Sequence, residues 1–395
     1  MNRAEAAGLQ FELSQLVPPM MLEALFASAG VHINGPHPWD MQVRDPRTFN
    51  AILSKWSLGL GESYVDGFWD CNELDTMLTK ILKADLNMSI KGKARVRLAF
   101  EIARAKFINL QSPTRAFDVG EHHYDTGNDF FESILDTQMI YSCGYWEHAK
   151  NLDQAQTHKL EMICQKLELK QGERLLDIGC GWGGLAAYAA KHYGVEVVGI
   201  TVSKEQQKIA RDRCKGLPIQ IELIDYRQLE GQFDKLVSVG MFEHVGEKNY
   251  RDYFEAANRL LVDDGLFLLH TIGSDVRISR TDPWIDRYIF PNGKIPCASE
   301  ITDAAEGYFL VEDWHNFGCD YDKTLLAWFA NLEKNWPTLS SKYSDRFYRM
   351  WKFYLLGCAA YFRAKQGQLW QIVLAKRSRS GPYRSYRPIE RVRQS

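Results

Sequence analysis

The chain has no C-x-x-C pair among its eight cysteines, no apolar run approaching the ~18 residues of a membrane-spanning helix, and a formal net charge of only −2 over 395 residues. Each absence excludes something. Scattered cysteines argue against a zinc site or a disulfide framework and suit a reducing cytosol. Without a spanning helix, any work on lipid is done from the membrane surface. Balanced charge gives no global attraction to nucleic acid or to an anionic membrane, so such contacts must be local. Glu5, Glu12 and Glu23 interrupt the N-terminal segment, and no uninterrupted apolar core of a secretory signal is visible. A cytoplasmic protein with no nucleic-acid partner and no metal site is expected.

A chain of this length, 45% apolar, is expected to form two domains, each with its own core. Residues 1–112 read as a small, mainly helical domain that contacts lipid. Residues 20–29 have helical apolar spacing, which Gly30 and Gly35 break. Residues 56–69 are dense in aromatics and glycine, and read either as a packed turn or as an apolar lip for an acyl chain. In residues 91–106 cations cluster around Val96, Leu98, Phe100 and Ile102. Such a helix lies on anionic headgroups or forms a solvated basic face. Ser112, Pro113 and Thr114 open a linker, residues 113–120.

Residues 121–375 form the second expected domain. After a helix at 151–169 come strand 173–178, helix 184–192, strand 195–200, helix 203–214, strands 219–224 and 234–240, helix 249–261 and strand 266–272. This alternation predicts an α/β doubly wound, mostly parallel sheet. Residues 273–307 interrupt the rhythm and read as a cap over the carboxyl edge of the sheet. A strand near 309–314, helices at 322–335 and 342–364 and a strand at 369–374 follow. Residues 376–395 are arginine-rich and read as a disordered tail, or else as a weak electrostatic contact with a membrane.

The segment Leu175-Leu176-Asp177-Ile178-Gly179-Cys180-Gly181-Trp182-Gly183-Gly184 is an apolar strand running into a glycine-rich turn at a helix start, which is a nucleotide site. Gly179, Gly181 and Gly184 also satisfy G-x-G-x-x-G, but a dinucleotide fold expects an acid after the next strand, where Thr201-Val202-Ser203 stands. Asp177, two residues before the first glycine, favours the D-x-G-x-G of S-adenosylmethionine methyltransferases over a nicotinamide dinucleotide. In such sheets ligands sit beyond the carboxyl ends of strands. Candidates there are Asp225 for an adenine amine, Tyr226 for its ring, and Thr201 and Gln206 for the ribose. Glu243 and His270, at neighbouring strand tips, are the ionisable pair that proton transfer requires.

Seven motifs in order carry a wider resemblance: H-Y-D-T-G-N-D-F-F at 123–131, Y-S-C-G-Y-W at 141–146, the glycine turn at 175–184, G-I-T-V-S-K-E-Q at 199–206, V-G-M-F-E-H-V-G at 239–246, L-L-H-T-I-G-S at 268–274 and W-H-N-F-G-C-D-Y at 314–321. With S-L-G-L-G-E-S-Y at 57–64, the chain resembles the cyclopropane-fatty-acyl-phospholipid synthase family. The resemblance implies a seven-stranded class I methyltransferase sheet. It also implies transfer of a methylene from S-adenosylmethionine to a cis double bond of a phospholipid acyl chain, through a carbocation deprotonated by a bound bicarbonate. By the same resemblance the cofactor contacts include Tyr124, Tyr141, Ser142, Gly179, Gly181, Thr201, Gln206 and Tyr226. The bicarbonate lies at Cys143, Glu243, His270, Ile272 and Tyr321. A homodimer, peripheral on the inner face of the membrane, is implied as well. The alternative product is a methyl-branched or hydroxylated acyl chain.

Overall fold

The computed structural model describes residues 18–84 and 127–388. The basic segment 91–106, the linker 113–120, Tyr124, and Arg391 and Arg393 lie outside the described residues. The helices in chain order are α1 (Met20–Ser28), α2 (Arg47–Lys55), α3 (Ser57–Val65), α4 (Leu74–Lys83), α5 (Asn128–Ile134), α6 (Leu152–Lys166), α7 (Gly184–Tyr193), α8 (Lys204–Arg213), α9 (Tyr250–Leu260), α10 (Pro283–Tyr288), α11 (Ala298–Ala305), α12 (Cys319–Leu339) and α13 (Asp345–Arg363). The strands are β1 (Gln42–Val43), β2 (Trp69–Asp70), β3 (Arg174–Ile178), β4 (Glu196–Thr201), β5 (Ile219–Leu223), β6 (Phe233–Val239), β7 (Leu261–Gly273), β8 (Leu310–Asn316) and β9 (Gln368–Ala375).

Two compact units result, and their division departs from the boundary expected near residue 112. The first unit joins 18–84 to Asp282–Phe290 and Trp328–Gln366, so part of the expected cap and most of α12 and α13 leave the expected catalytic domain. The cause is aromatic packing between segments remote in sequence. Trp284 stands edge-on to Phe353 at 4.8 Å, Phe353 meets Tyr64 at 5.4 Å, and Arg363 pairs with Asp75 at 2.6 Å. Residues 56–69 are a packed element rather than an open lip. Within α3, Gly59 lies against the Ala51 carbonyl and Gly61 against the Trp284 ring, leaving no space for a Cβ, and Tyr64 and Trp69 are buried.

The second unit holds a seven-stranded sheet in the order β5-β4-β3-β6-β7-β9-β8. Every neighbouring pair is parallel except that β9 runs antiparallel to β7 and β8. Apolar runs make this possible, because a parallel sheet covered by helices on both faces buries both sides of each strand. In β7, Leu266 and Leu268 pack with Leu160, Ile163 and Leu185 on one face, while Phe267 and Leu269 pack with Tyr253, Phe254 and Ile301 on the other. Each such side chain contributes about 1.5–3 kcal/mol of burial. The helices of this unit are capped by their own residues: Asn151 accepts from Gln154 N at 2.9 Å at the start of α6, and Ser203 accepts from Gln206 N at 3.3 Å at the start of α8.

Residues 376–388 are docked, which corrects the expectation of disorder for that part of the tail. Arg387 donates to both carboxylate oxygens of Asp313 at 2.6 Å, Arg379 reaches Glu168 at 2.9 Å, and the Ser380 hydroxyl donates to Asp264 at 2.9 Å. An arginine-rich composition reads as solvated, but Asp313 on β8 is buried and needs a cation. Hydrogen bonds from Arg387 and the field of Lys166 hold its carboxyl below the ordinary value of 3.8 against the opposing effect of burial, so the stabilisation is present above that pH and lost as pH falls through the lower folded value. Arg387→Ala is therefore expected to cost about 1–3 kcal/mol in urea unfolding at pH 7, a difference that shrinks in acid below the ordinary carboxylate range.

Candidate functional site

β3 delivers Asp177 to its carboxyl end, and the chain then turns through Gly179 and Gly181, at φ 85° and 55°, a region open mainly to glycine. A Cβ on Gly179 would come within 2.9 Å of the Met241 side chain. The turn leads directly into α7. Around it lies a cavity of about 220 Å³, lined among others by Tyr141, Ser142, Lys159, Asp177, Gly179, Gly181, Thr201, Gln206, Asp225, Tyr226 and Met241. All the expected cofactor residues that the structure describes therefore meet at one cavity.

Their local geometry differs in detail from the expectation. The Thr201 hydroxyl donates to Gln206 Oε1 at 2.9 Å and accepts from Ser203 N at 3.1 Å, so the two expected ribose contacts hold each other in place. Asp225 is engaged by Arg227 through three hydrogen bonds: the backbone N at 3.0 Å and Nε at 2.7 Å both reach Oδ1, and Nη2 reaches Oδ2 at 2.7 Å, which leaves Oδ2 with a lone pair for a further donor. Arg227 also stands over the Tyr226 ring, 5.1 Å from its centroid. Asp177 is buried, and burial pushes its carboxyl up to about 7 although Lys159 opposes this. Its Oδ2 has no hydrogen-bond partner among the described residues.

The residues 239–241 and 244–245 form one wall of this cavity. Between them Glu243 sits in the short turn Phe242–His244 and accepts from Ile272 N at 2.7 Å. Its Oε2 lacks a partner among the described residues; the Thr271 hydroxyl donates to the Ile272 carbonyl at 3.0 Å. Burial raises Glu243 from 4.5 to about 7. The Ile272 amide is thus already occupied by Glu243. His270 is buried on β7, with Nδ1 3.3 Å from Gln371 Nε2 and Nε2 without a partner among the described residues. Burial, then the field of Lys159, holds it well below the ordinary imidazole range, so it is neutral. Cys143, Ile272 and Tyr321 share a cluster with Tyr145, Phe317 and Tyr386 of the docked tail. The Cys143 thiol is raised by burial and lies 3.6 Å from Thr324 Oγ1, an environment that disfavours a thiolate nucleophile.

Lys159 and Arg227 were not among the residues that the sequence singled out. A signal for Lys159 existed: it lies four residues after Ala155 and four before Ile163, on the apolar stripe of its helix, where an unpaired cation is costly.

Strand order, the single antiparallel strand and the acid–glycine turn define the class as S-adenosylmethionine-dependent methyltransferase. The chain belongs to a particular family of that class, described as mycolic acid cyclopropane synthetase, whose profile matches residues 111–372. A cyclopropane-fatty-acyl-phospholipid synthase of Escherichia coli (strain K12) is 52% identical over 357 residues, covering 90% of this chain and 93% of that protein. A probable fatty acid methyltransferase of Pseudomonas putida is 36% identical, covering 87% of this chain and 88% of its own. Among solved structures, mycolic acid cyclopropane synthase CmaA1 complexed with SAH and CTAB is 33% identical with a TM-score of 0.62, covering 66% of this chain and 98% of its own.

A carboxyl whose folded value is raised loses stability as pH climbs from its unfolded value of 4.5 through about 7. Glu243→Gln keeps the acceptor for Ile272 N without the buried charge. In urea unfolding of the ligand-free protein the variant is expected to exceed the parent by up to about 3 kcal/mol at pH 8, and to match it near pH 4.5. An equal difference at both pH values would contradict the assignment.

Proposed function

We propose that the chain converts a cis double bond in a phospholipid acyl chain into a cyclopropane ring, using the methyl of S-adenosylmethionine. The observation that carries this reading is the buried carboxyl of Glu243, anchored by one oxygen and open at the other, set behind the wall of a cavity that fits a nucleoside cofactor. The cavity fits on its own terms. Glycines let backbone approach the ligand, Thr201 and Gln206 present neutral polar atoms, and Asp177 Oδ2 awaits a donor. S-adenosylmethionine bound there supplies an electrophilic methyl on a sulfonium.

An alkene is a poor nucleophile, so the chain's contribution is alignment and a preorganised field. Aromatic faces stabilise a passing cation by roughly 0.5–2 kcal/mol each. Tyr321, packed beside Ile272 and Cys143, is in the cluster that would present such a face. The same apolar cluster excludes water, whose attack would give an alcohol.

The second half suits a small protonated anion, because the orphaned Glu243 Oε2 and His270 Nε2 offer an acceptor and a site of either polarity. Glu243 and His270 would hold bicarbonate, with Cys143, Ile272 and Tyr321 shaping its walls, and it would supply a proton acceptor. Near neutral pH Glu243 is poised between its two forms and can share a proton at Oε2 with such an anion without repelling it.

Action at a membrane surface, as a peripheral homodimer on the inner face, is part of the same reading. Support comes from the family resemblance, from the basic and apolar segment 91–106, and from Met20 and Met21 of α1, which are 85% and 70% exposed. Among the described residues no helix is long and apolar enough to cross a membrane.

The test is incubation with methyl-labelled S-adenosylmethionine, bicarbonate and vesicles of cis-unsaturated phospholipid. Lipid that gains one CH2 and loses its olefinic protons by mass spectrometry and NMR is the expected product. Glu243→Gln is expected to lose at least about 100-fold in turnover and to respond weakly to added bicarbonate. A methyl-branched or hydroxylated chain would replace the ring-forming reading, and unlabelled lipid would reject it.

A further inference from the structure

α6 carries a lysine into the interior. Lys159 is 1% exposed, and its Nζ donates to Ser142 Oγ at 2.9 Å. No carboxylate among the described residues pairs with it; Asp136 and Asp177 act on it only through space. Asp136 is already committed, its two oxygens accepting from Ile140 N at 2.8 Å and Gln138 N at 2.9 Å. A buried ammonium whose direct partner is a neutral hydroxyl is costly and calls for an anion. Asp177, lining the same cavity, presents the opposite deficit: a buried carboxylate oxygen without a donor.

A ligand that satisfies both carries one negative and one positive group close together, which is the description of a free amino-acid terminus. We propose that Lys159, oriented by Ser142, binds the carboxylate at the amino-acid end of the cofactor. This rests on the reading of the cavity as the S-adenosylmethionine site. A free carboxylate-like anion such as bicarbonate shares the chemistry, and Lys159 also acts through space on His270. The cavity decides between them: Lys159 and Ser142 both line it, whereas Glu243 and His270 do not. Lys159 thus discriminates cofactors that keep the amino-acid terminus from adenosine thioethers that lack it.

Binding measurements on the full chain test this without turnover. Isothermal titration compares S-adenosylhomocysteine with 5′-methylthioadenosine, the same nucleoside thioether without the amino-acid end. The parent protein binds the first more tightly. Lys159→Met is expected to weaken S-adenosylhomocysteine by about 10- to 100-fold while leaving 5′-methylthioadenosine within about twofold. Ser142→Ala, which keeps the lysine, is expected to move the same ratio in the same direction and covers the case in which Lys159→Met fails to fold. Parallel weakening of both ligands would make Lys159 a structural residue and overturn the proposal. So would an unchanged ratio, which would leave the lysine to a free anion. A parent protein that binds neither ligand would instead refute the cofactor site itself.

Discussion

The second unit depends on holding ionisable groups in its interior, away from the solvent that would stabilise their charged forms. Asp177, Glu243, His270 and Lys159 all lie at or beside the carboxyl edge of one sheet, and each is pushed toward its neutral form by burial. Left without ligands, such groups destabilise the fold. Held by rigid strands, they form a preorganised field that needs no rearrangement when a substrate arrives. The hydrogen bond from Ile272 N to Glu243 Oε1 is the clearest case, since it fastens the turn after β6 to β7 while Oε2 has no partner among the described residues.

The strain of those groups is offset by packing on both faces of the sheet. The core residues of β7 alternate between two clusters, so neither strand tip can move without disturbing both. The docked tail adds a further constraint. Arg387 closes on Asp313, and Tyr386 packs into the cluster that contains Cys143, Ile272 and Tyr321. Asp313 is also paired with buried Lys166 at 3.6 Å, and Lys166 reaches His315 Nδ1 at 3.1 Å, so a charged network backs the wall on which those three residues sit. A chain segment that looked like solvated polycation is thereby part of the site's support.

Much of this was legible in the sequence because it is local. Apolar strands, helical spacing and the glycine turn place β3, β4, β6 and β7 within a few residues, and Glu243 and His270 stand out as charges at the ends of apolar runs. What stayed hidden depends on partners far along the chain. The transfer of residues 282–290 and 328–366 to the first unit is driven by Trp284, Phe353 and Tyr64, which have no local signature of whom they will meet. Arg387 and Asp313 are 74 residues apart. Lys159 was readable in principle, as a cation on an apolar stripe, but motif spacing points to the ends of strands and not to a helix behind them.

The central claim is that one half of the site delivers a methyl and the other removes a proton from that same methyl. S-adenosylmethionine carrying a fully deuterated methyl group, supplied with cis-unsaturated phospholipid vesicles, tests it most directly through mass spectrometry of the lipid product. A ring methylene that retains two deuterons, the third having been lost, is the predicted result. A product retaining all three would show that the transferred methyl is never deprotonated, and would contradict the account.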